Sequence, residues 1–450
     1  MNATVARWRE SLGVYATPQV WAMLFLGFSS GLPFPLVLTT LSARLRQSGI
    51  DRTTIGYFSL VGLAFSLKYF WSPIVDRLPL PILHRLGRRR SWMLLAQCCI
   101  GMGLVLMAAA DPSVDPVRVA WLAVFTAFAA ATQDIAVDAY RIEATGEDRQ
   151  GAMAATYQVG YQLALIAGQA GALVAAATYG WASAYAIMAA CVGVGLVTTA
   201  VIAEPQALID RSPIAQEARV TAFLDRSTHW PAALRKTIAW LIGAVVCPFV
   251  DFFTRNGLRA GVPILLLIVT YRLNYMTMGV AANTFYLDLG FTLEQIALVS
   301  KVYGVLMTLT GALLAGLLIK RFGIGRTLLL GWALLTVANL VYAHMATIRP
   351  GMNWFATAVS IDNVANGIAG TAFIAYMSSL TNRAYTATQY ALFGTLWSLP
   401  TKAIASQWGV IVDAFGYPPF FVYCAAMGLP ALVLIVWVMR HGRSAPKPSQ

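Results

Sequence analysis

The sequence predicts an all-α membrane protein of twelve transmembrane helices arranged as two six-helix bundles, and three observations carry that reading. Of the 450 residues, 58% are hydrophobic and 11% charged, against roughly 25% charged in soluble domains, and the mean hydropathy is +0.65. Apolar runs of about 20 residues, the length that crosses a hydrocarbon core, recur twelve times. With both termini in the cytoplasm, 23 of the 32 Lys and Arg fall in cytoplasmic loops or termini, five outside and four within spans, a strong positive-inside bias. The net charge of +13 is therefore an orientation signal that implies contact with anionic lipid, and nucleic acid is excluded as a partner.

The first half, residues 1–204, opens on residues 1–16, which carry Arg7, Arg9 and Glu10 and lack a short apolar core before a cleavage site, so no removable signal peptide is expected. Span 1 (18–42) contains Gly27, Gly31, Pro33 and Pro35, which weaken a helix where transporters place sites and hinges; tight packing of glycine faces is the competing explanation. Span 2 (53–73) carries Lys68, expected to snorkel in part toward the nearby cytoplasmic end. Span 3 (91–110) is apolar, span 4 (118–140) holds two acids, and span 5 (152–177) carries Gln158, Tyr161 and Gln162 before the apolar span 6 (180–202).

Residues 205–260 regain charge, with Pro205, Pro213 and Pro231, and read as a cytoplasmic linker. Its apolar stretch 237–250 is interrupted by Pro248 and too short to span, so it is expected to lie at the interface. The second half, 261–450, repeats the plan: span 7 (261–286) with Arg272 and Asn274, span 8 (293–318) with Lys301, span 9 (326–346), span 10 (353–379) with Asp362, Asn363 and Asn366, span 11 (386–410) with Lys402, and span 12 (417–439). The halves echo each other. Gly49, Ile55 and Ser59 entering span 2 match Gly290, Ile296 and Ser300 entering span 8, and Asp134-Ile135-Ala136 in span 4 parallels Asp362-Asn363-Val364-Ala365 in span 10. Parallel six-helix repeats that rock about a midplane site are the build of major-facilitator transporters.

Ionisable side chains at membrane depth usually face a cavity or a partner. Asp134 and Asp138 share one face of span 4, a turn apart. Asp134, deeper and without an evident neighbour in sequence, is a proton or substrate candidate, as is Asp362. The loop after span 2 reads Asp76-Arg77, then Gly87-Arg88-Arg89-Arg90, and resembles the major-facilitator loop signature split by an insertion at 78–86. That resemblance implies a cytoplasmic latch in which an Arg pairs with an acid at the inner end of span 4; Asp138 is the natural acid, with Arg141 as its other possible partner. Arg272 and Asp362 could meet as a pair; an unpaired Arg272 would be expected to hold an anion, since guanidinium matches carboxylate geometry. Lys301 is placed to bind an acidic ligand. Gln158, Tyr161, Gln162, Asn274, Asn363 and Asn366 could hydrogen-bond a sugar or peptide, with helix-to-helix bonding the alternative.

No GxxxxGK[ST] loop occurs, so ATP hydrolysis by this chain is not expected. The five cysteines lack CxxC spacing and the four histidines are scattered, so neither disulfides, a metal site nor another cofactor is expected. No nucleophile or metal constellation suggests an enzyme, and a receptor or scaffold has no need for charges in several spans.

LGFSSGLPFPLVL in span 1, IGYFSLVGLAFSLKYFWSPIVDR through span 2, TQDIAVDAYRIE in span 4 and TATQYALF in span 11 resemble the AmpG family of major-facilitator permeases, over nearly all of residues 20–440. The resemblance implies proton-driven import, across the bacterial inner membrane, of N-acetylglucosaminyl-1,6-anhydro-N-acetylmuramyl peptides recycled from the cell wall, by a protein expected to be a monomer. In that family the imported fragments feed the signal that induces β-lactamase, which ties it to antibiotic resistance. Family members carrying Lys with a nearby acid on span 7 differ from the Tyr271-Arg272-Leu273-Asn274-Tyr275 found here. Relatives of the family that move siderophores or acetyl-CoA provide the alternative cargo.

Overall fold

In the computed structural model the chain is helical, and no strand occurs among the described residues. The structure describes residues 15, 17–50, 54–55, 58–81, 83–146, 149–205, 218–348, 350–382, 385–405 and 407–441. Among these, eight segments are long and apolar enough to cross a membrane. One of them, Gln150–Val201, turns at Gly180, whose φ is +82°, and so makes spans 5 and 6. Three further spans are too short, broken or polar to meet the same criterion: span 2 (59–77), span 10 (Met352–Leu380) and span 11 (Thr386–Ala405, continued by Trp408–Phe415). The twelve spans are thus present.

Local chemistry explains the breaks. Span 1 is divided into Pro18–Gly31, Pro33–Val37 and Thr39–Gln47; Pro33 and Pro35, which lack backbone donors and clash with the preceding turn, account for the first break, and Leu38, with non-helical φ −123° and ψ −90°, makes the second. At the second break, the carbonyl of Leu36 accepts from the Tyr185 hydroxyl at 2.8 Å, so span 6 satisfies what that break exposes. Gly27 and Gly31 do something else. A Cβ on Gly27 would lie 2.2 Å from the Tyr157 carbonyl oxygen, and one on Gly160 1.9 Å from that of Leu24. Spans 1 and 5 therefore meet backbone to backbone, which only small residues permit. Span 2 is a string of short turns, Ser59–Gly62, Leu63–Leu67, Lys68–Phe70 and Ser72–Arg77. At the far end of span 1, Arg44 donates to the carbonyls of Met107 and Ala110 at 2.7 and 2.5 Å. A cation so placed satisfies the last carbonyls of span 3 and opposes its helix dipole.

The sequence echo between the halves has a physical basis. Gly49 and Gly290 have φ of +85° and +88°, a left-handed conformation that glycine adopts without a Cβ penalty. The next amides, Ile50 and Phe291, donate back to Leu45 and Tyr286 at 3.1 and 3.2 Å, closing the same helix-end motif before spans 2 and 8.

Leu36, Leu104, Val119 and Tyr185 belong to a core among spans 1 to 6, and Phe285, Tyr342, Phe355 and Phe421 to one among spans 7 to 12. A third cluster joins them: Ile142 and Ala154 pack with Ile319, Phe373 and Tyr390. The cross-group hydrogen bonds among described residues run along the same seam. Tyr15 donates to Leu313 O at 3.1 Å, Arg141 to Ser378 at 2.6 Å, Thr388 to Asp76 at 3.2 Å and Thr395 to Ser66 O at 2.8 Å. Ahead of span 7, Ala232–Leu241 continues through a π-turn at Ile242–Val246 to a sharp turn at Gly257, φ +68°. Asp251 and the Pro248 carbonyl both accept from Gln389 of span 11, at 2.9 and 2.8 Å.

Gly160→Ala is expected to destabilise the fold by about 1–3 kcal/mol through overpacking, read as a lowered thermal midpoint in detergent. Gly101→Ala, where nothing lies within 4 Å of an added Cβ, is the control and should leave the midpoint unchanged or raise it.

Candidate functional site

At the end of the molecule where spans 2, 4 and 10 finish and spans 3, 5 and 11 begin, a charge lattice forms around Arg89. Helix Arg88–Ala109 places this side chain inward with no exposed surface. Arg89 Nη2 reaches Asp76 Oδ1 at 2.7 Å and Glu143 Oε1 at 2.6 Å, and its Nε reaches Glu143 Oε2 at 3.1 Å. The forked, charge-assisted geometry suits arginine. Arg88 adds a contact to Glu143 at 3.6 Å and donates to the Asp76 carbonyl at 2.9 Å. Glu204, just past span 6, accepts the first amides of span 3, from Arg89 at 2.8 Å and Arg90 at 3.0 Å. A carboxylate at a helix N-terminus is favourable; burial nevertheless pushes the Glu204 carboxyl above its usual range, opposed by these two N–H groups. Arg90 donates to the last carbonyls of span 6, those of Thr199 and Ala200, and Arg77 lies over the Tyr385 ring, 5.1 Å from its centre.

One to two turns deeper lies a second layer. Lys68 Nζ sits 3.3 Å from Asp138 Oδ2 and 3.9 Å from Asp134 Oδ2. Arg141 Nη2 lies 3.3 Å from Asp138 Oδ1, and its guanidinium is 5.0 and 5.7 Å from the ring centres of Tyr390 and Tyr157. Asp138 is therefore held from two sides. Asp134 Oδ1 is buried with no hydrogen-bond partner.

In the second group of spans, Arg272 stands at a break in span 7, between Cys247–Thr270 and Leu273–Asp288. Its Nη2 donates to Asn366 Oδ1 at 2.5 Å and its guanidinium lies 5.0 Å from the Tyr275 ring centre. Asp362 Oδ1, like Asp134 Oδ1, is buried without a hydrogen-bond partner, as is Arg272 Nε. The two acids that echo in sequence share this condition.

A sequence profile described as Major Facilitator Superfamily matches residues 20–401. The anhydromuropeptide permease of Escherichia coli K12 is 32% identical over 429 residues, covering 95% of this chain and 81% of that protein. The chain belongs to the AmpG family of the major facilitator superfamily. A Rickettsia felis protein named as a transporter, AmpG 4, is 30% identical over 94% of this chain and 97% of its own length. Among solved structures, the human organic anion transporter MFSD10 superposes with a TM-score of 0.68 at 16% identity, covering 93% of this chain and all of that one, and the proton:xylose symporter XylE with 0.67 at 11%, covering 94% and 95%. These two likenesses concern the fold. The AmpG-family chain is accordingly a multi-pass membrane transporter.

Several expected pairings are redrawn. Asp138 does not take the 88–90 arginines; it lies a turn too deep, and Glu143, one turn nearer the end of span 4, takes them. Lys68 does not snorkel outward, because the carboxylates of span 4 lie within its reach. Arg272 forms no ion pair with Asp362 and bonds Asn366 instead. Asn274 is fully buried, accepts from the Tyr275 amide at 2.8 Å and lies against Gly428 of span 12. Asn363 cross-links helices, accepting from Thr308 of span 8 at 2.8 Å. Gln158, Tyr161 and Gln162 remain partly exposed on span 5. Lys301 lies in the π-helical stretch Ala297–Tyr303; its side chain is outside the described residues.

Sequence reasoning missed Glu143, Glu204, Ser378 and Tyr390. The first had a signal, since TQDIAVDAYRIE places a third acid two residues beyond Arg141. The others are brought in by packing alone.

Glu143→Gln is expected to loosen this end, because it leaves Arg89 buried with one carboxylate; breaking such a pair typically costs about 3–5 kcal/mol. In a background cleared of native cysteines, a cysteine replacing the buried Ala387 should react faster with maleimide in the Glu143→Gln protein. Unchanged labelling would show that Glu143 does not hold this end closed.

Proposed function

We propose that the chain is a proton-coupled importer, in a bacterial inner membrane, of N-acetylglucosaminyl-1,6-anhydro-N-acetylmuramyl peptides, working by alternating access between bundles 1–204 and 261–450 joined by the 205–260 linker. The observation that carries this reading is the pair of buried carboxylate oxygens without donors, at Asp134 and Asp362, on equivalent spans of a chain similar to an anhydromuropeptide permease. A carboxylate oxygen without a donor is an open position for a proton, and carboxylates inside membranes commonly relay protons. Asp134 has Lys68 as neighbour and Asp362 has Arg272, so each acid can exchange charge with a cation that an anionic cargo also attracts.

The other roles follow from position. Arg272 with Asn366 receives an anionic group of the cargo, guanidinium being suited to carboxylate, while Gln158, Tyr161 and Gln162 offer hydrogen bonds to sugar hydroxyls. Lys301 contributes a further cation. Asp76, Arg77, Arg88, Arg89, Arg90 and Glu143 form the latch, and Asp138 and Arg141, in the deeper layer, extend it to span 10 through Ser378. The positive-inside bias supports a cytoplasmic location for the latch end and both termini. Cross-bundle hydrogen bonds run from that end to mid-depth, which supports a closed inner side and an outward-facing cavity. A single chain supplies both bundles, so a monomer suffices.

Vesicles containing the protein should accumulate labelled anhydromuropeptide under an imposed inward proton gradient; absence of uptake would overturn the cargo assignment and turn attention to other anionic cargo, such as a siderophore or acetyl-CoA. Asp134→Asn and Asp362→Asn are each expected to abolish accumulation above equilibrium while exchange of cargo without a gradient persists. Normal gradient-driven accumulation by both variants would remove these acids as proton sites.

A further inference from the structure

Lys402 is the remaining intramembrane cation, and its surroundings give it a different place from Lys68. It lies on span 11 two residues after Pro400 and is exposed. Its ammonium donates to the Ser66 hydroxyl of span 2 at 2.6 Å, and Thr395 donates to the Ser66 carbonyl at 2.8 Å. No carboxylate pairs with it among the described residues. An exposed, unpaired ammonium at membrane depth faces water-filled space in the protein in preference to lipid, since a charge in hydrocarbon is costly. One hydroxyl leaves two of its three donors unused.

The backbone of Lys402 stands at about the height of that of Arg272. Arg255 donates to Gln389 at 3.2 Å, so the bases of spans 7 and 11 are level. From there, at 1.5 Å per residue, Arg272 rises about 22 Å beyond the Gly257 turn and Lys402 about 24 Å beyond Thr386. Spans 7 and 11 pack together. By the same measure Ser66 lies about 16 Å and Thr395 about 14 Å from the ends of their helices, so the Lys402 side chain reaches from its backbone toward the layer of Asp134 and Lys68, at about 14 Å.

We infer that Lys402, with Ser66 and Thr395, is a second anion-binding point, so that the transporter takes a cargo bearing two separated anionic groups, one at Arg272–Asn366 and one at Lys402. This rests on the anhydromuropeptide reading, in which the second anion is a peptide carboxylate. The point is shared between bundles: span 11 supplies the cation and span 2 the hydroxyl that positions it. Cargo bound there competes with Ser66 for the ammonium and so engages both sides of the seam.

The test is equilibrium binding to purified protein of two probes, the anhydromuropeptide and the same molecule with its peptide carboxylates converted to amides. The unmodified protein should prefer the free carboxylate form. Lys402→Gln should weaken that form by about tenfold or more, the size expected for a lost charge-assisted bond, and leave the amidated form unchanged. Lys402→Arg should keep most of the preference, which also shows that the position tolerates substitution. Equal weakening of both probes by Lys402→Gln, or weakening of neither, would overturn the second anion point while leaving the cargo assignment intact. Binding of neither probe to the unmodified protein would overturn the cargo assignment and the inference together.

Discussion

An ionised side chain removed from water must be compensated where it stands, and this constraint organises the interior of the transporter. Arg89, with no exposed surface, is matched by Asp76 and Glu143. Lys68 and Arg141 are matched by Asp134 and Asp138. Because these partners come from spans 2, 3 and 4, compensation also sets how those helices are aligned along their axes. Charge pairing thereby does the positional work that the hydrophobic effect cannot do between helices in lipid, where tails are as apolar as leucine.

The same constraint links the two bundles. Asp76 gives one oxygen to Arg89 and the other to Thr388 of span 11, while Arg141 gives one nitrogen to Asp138 and another to Ser378 of span 10. Any movement that parts the bundles at this end alters the surroundings of groups that also hold the first bundle together. The motif TATQYALF acquires a meaning here: Thr388 contacts Asp76 and Gln389 holds Asp251 of the segment before span 7. Adjacent residues of one helix start thus join the first bundle and the linker.

Mobility and rigidity are separated by residue type. Span 1 is interrupted at Pro33 and Pro35, yet its first half is pressed against span 5 through Gly27, Gly31 and Gly160. Span 2 is a chain of short turns between these firm elements. A helix of that kind adjusts its backbone at several points, which suits the one span that carries both Lys68 and Asp76.

Hydropathy, loop charge and motif were enough to determine twelve spans, the repeat, the family and the intramembrane positions of Asp134, Asp362, Arg272 and Lys402, because each of these depends on properties that lie in contiguous stretches: a 20-residue apolar length, a glycine that must turn, a charge that lipid does not accept. Pairing was only partly legible. One helical turn decides between Asp138 and Glu143 for Arg89, and the depth of a side chain's end is not written in its place along the chain. The tertiary structure alone decided that Lys68 reaches span 4, that Asn274 and Asn363 serve helix contacts, and that Ser66 meets Lys402 across the bundles. Such contacts join residues as far apart as 336 positions, and they follow from how helices cross and lean, which the periodicity of any single helix does not contain.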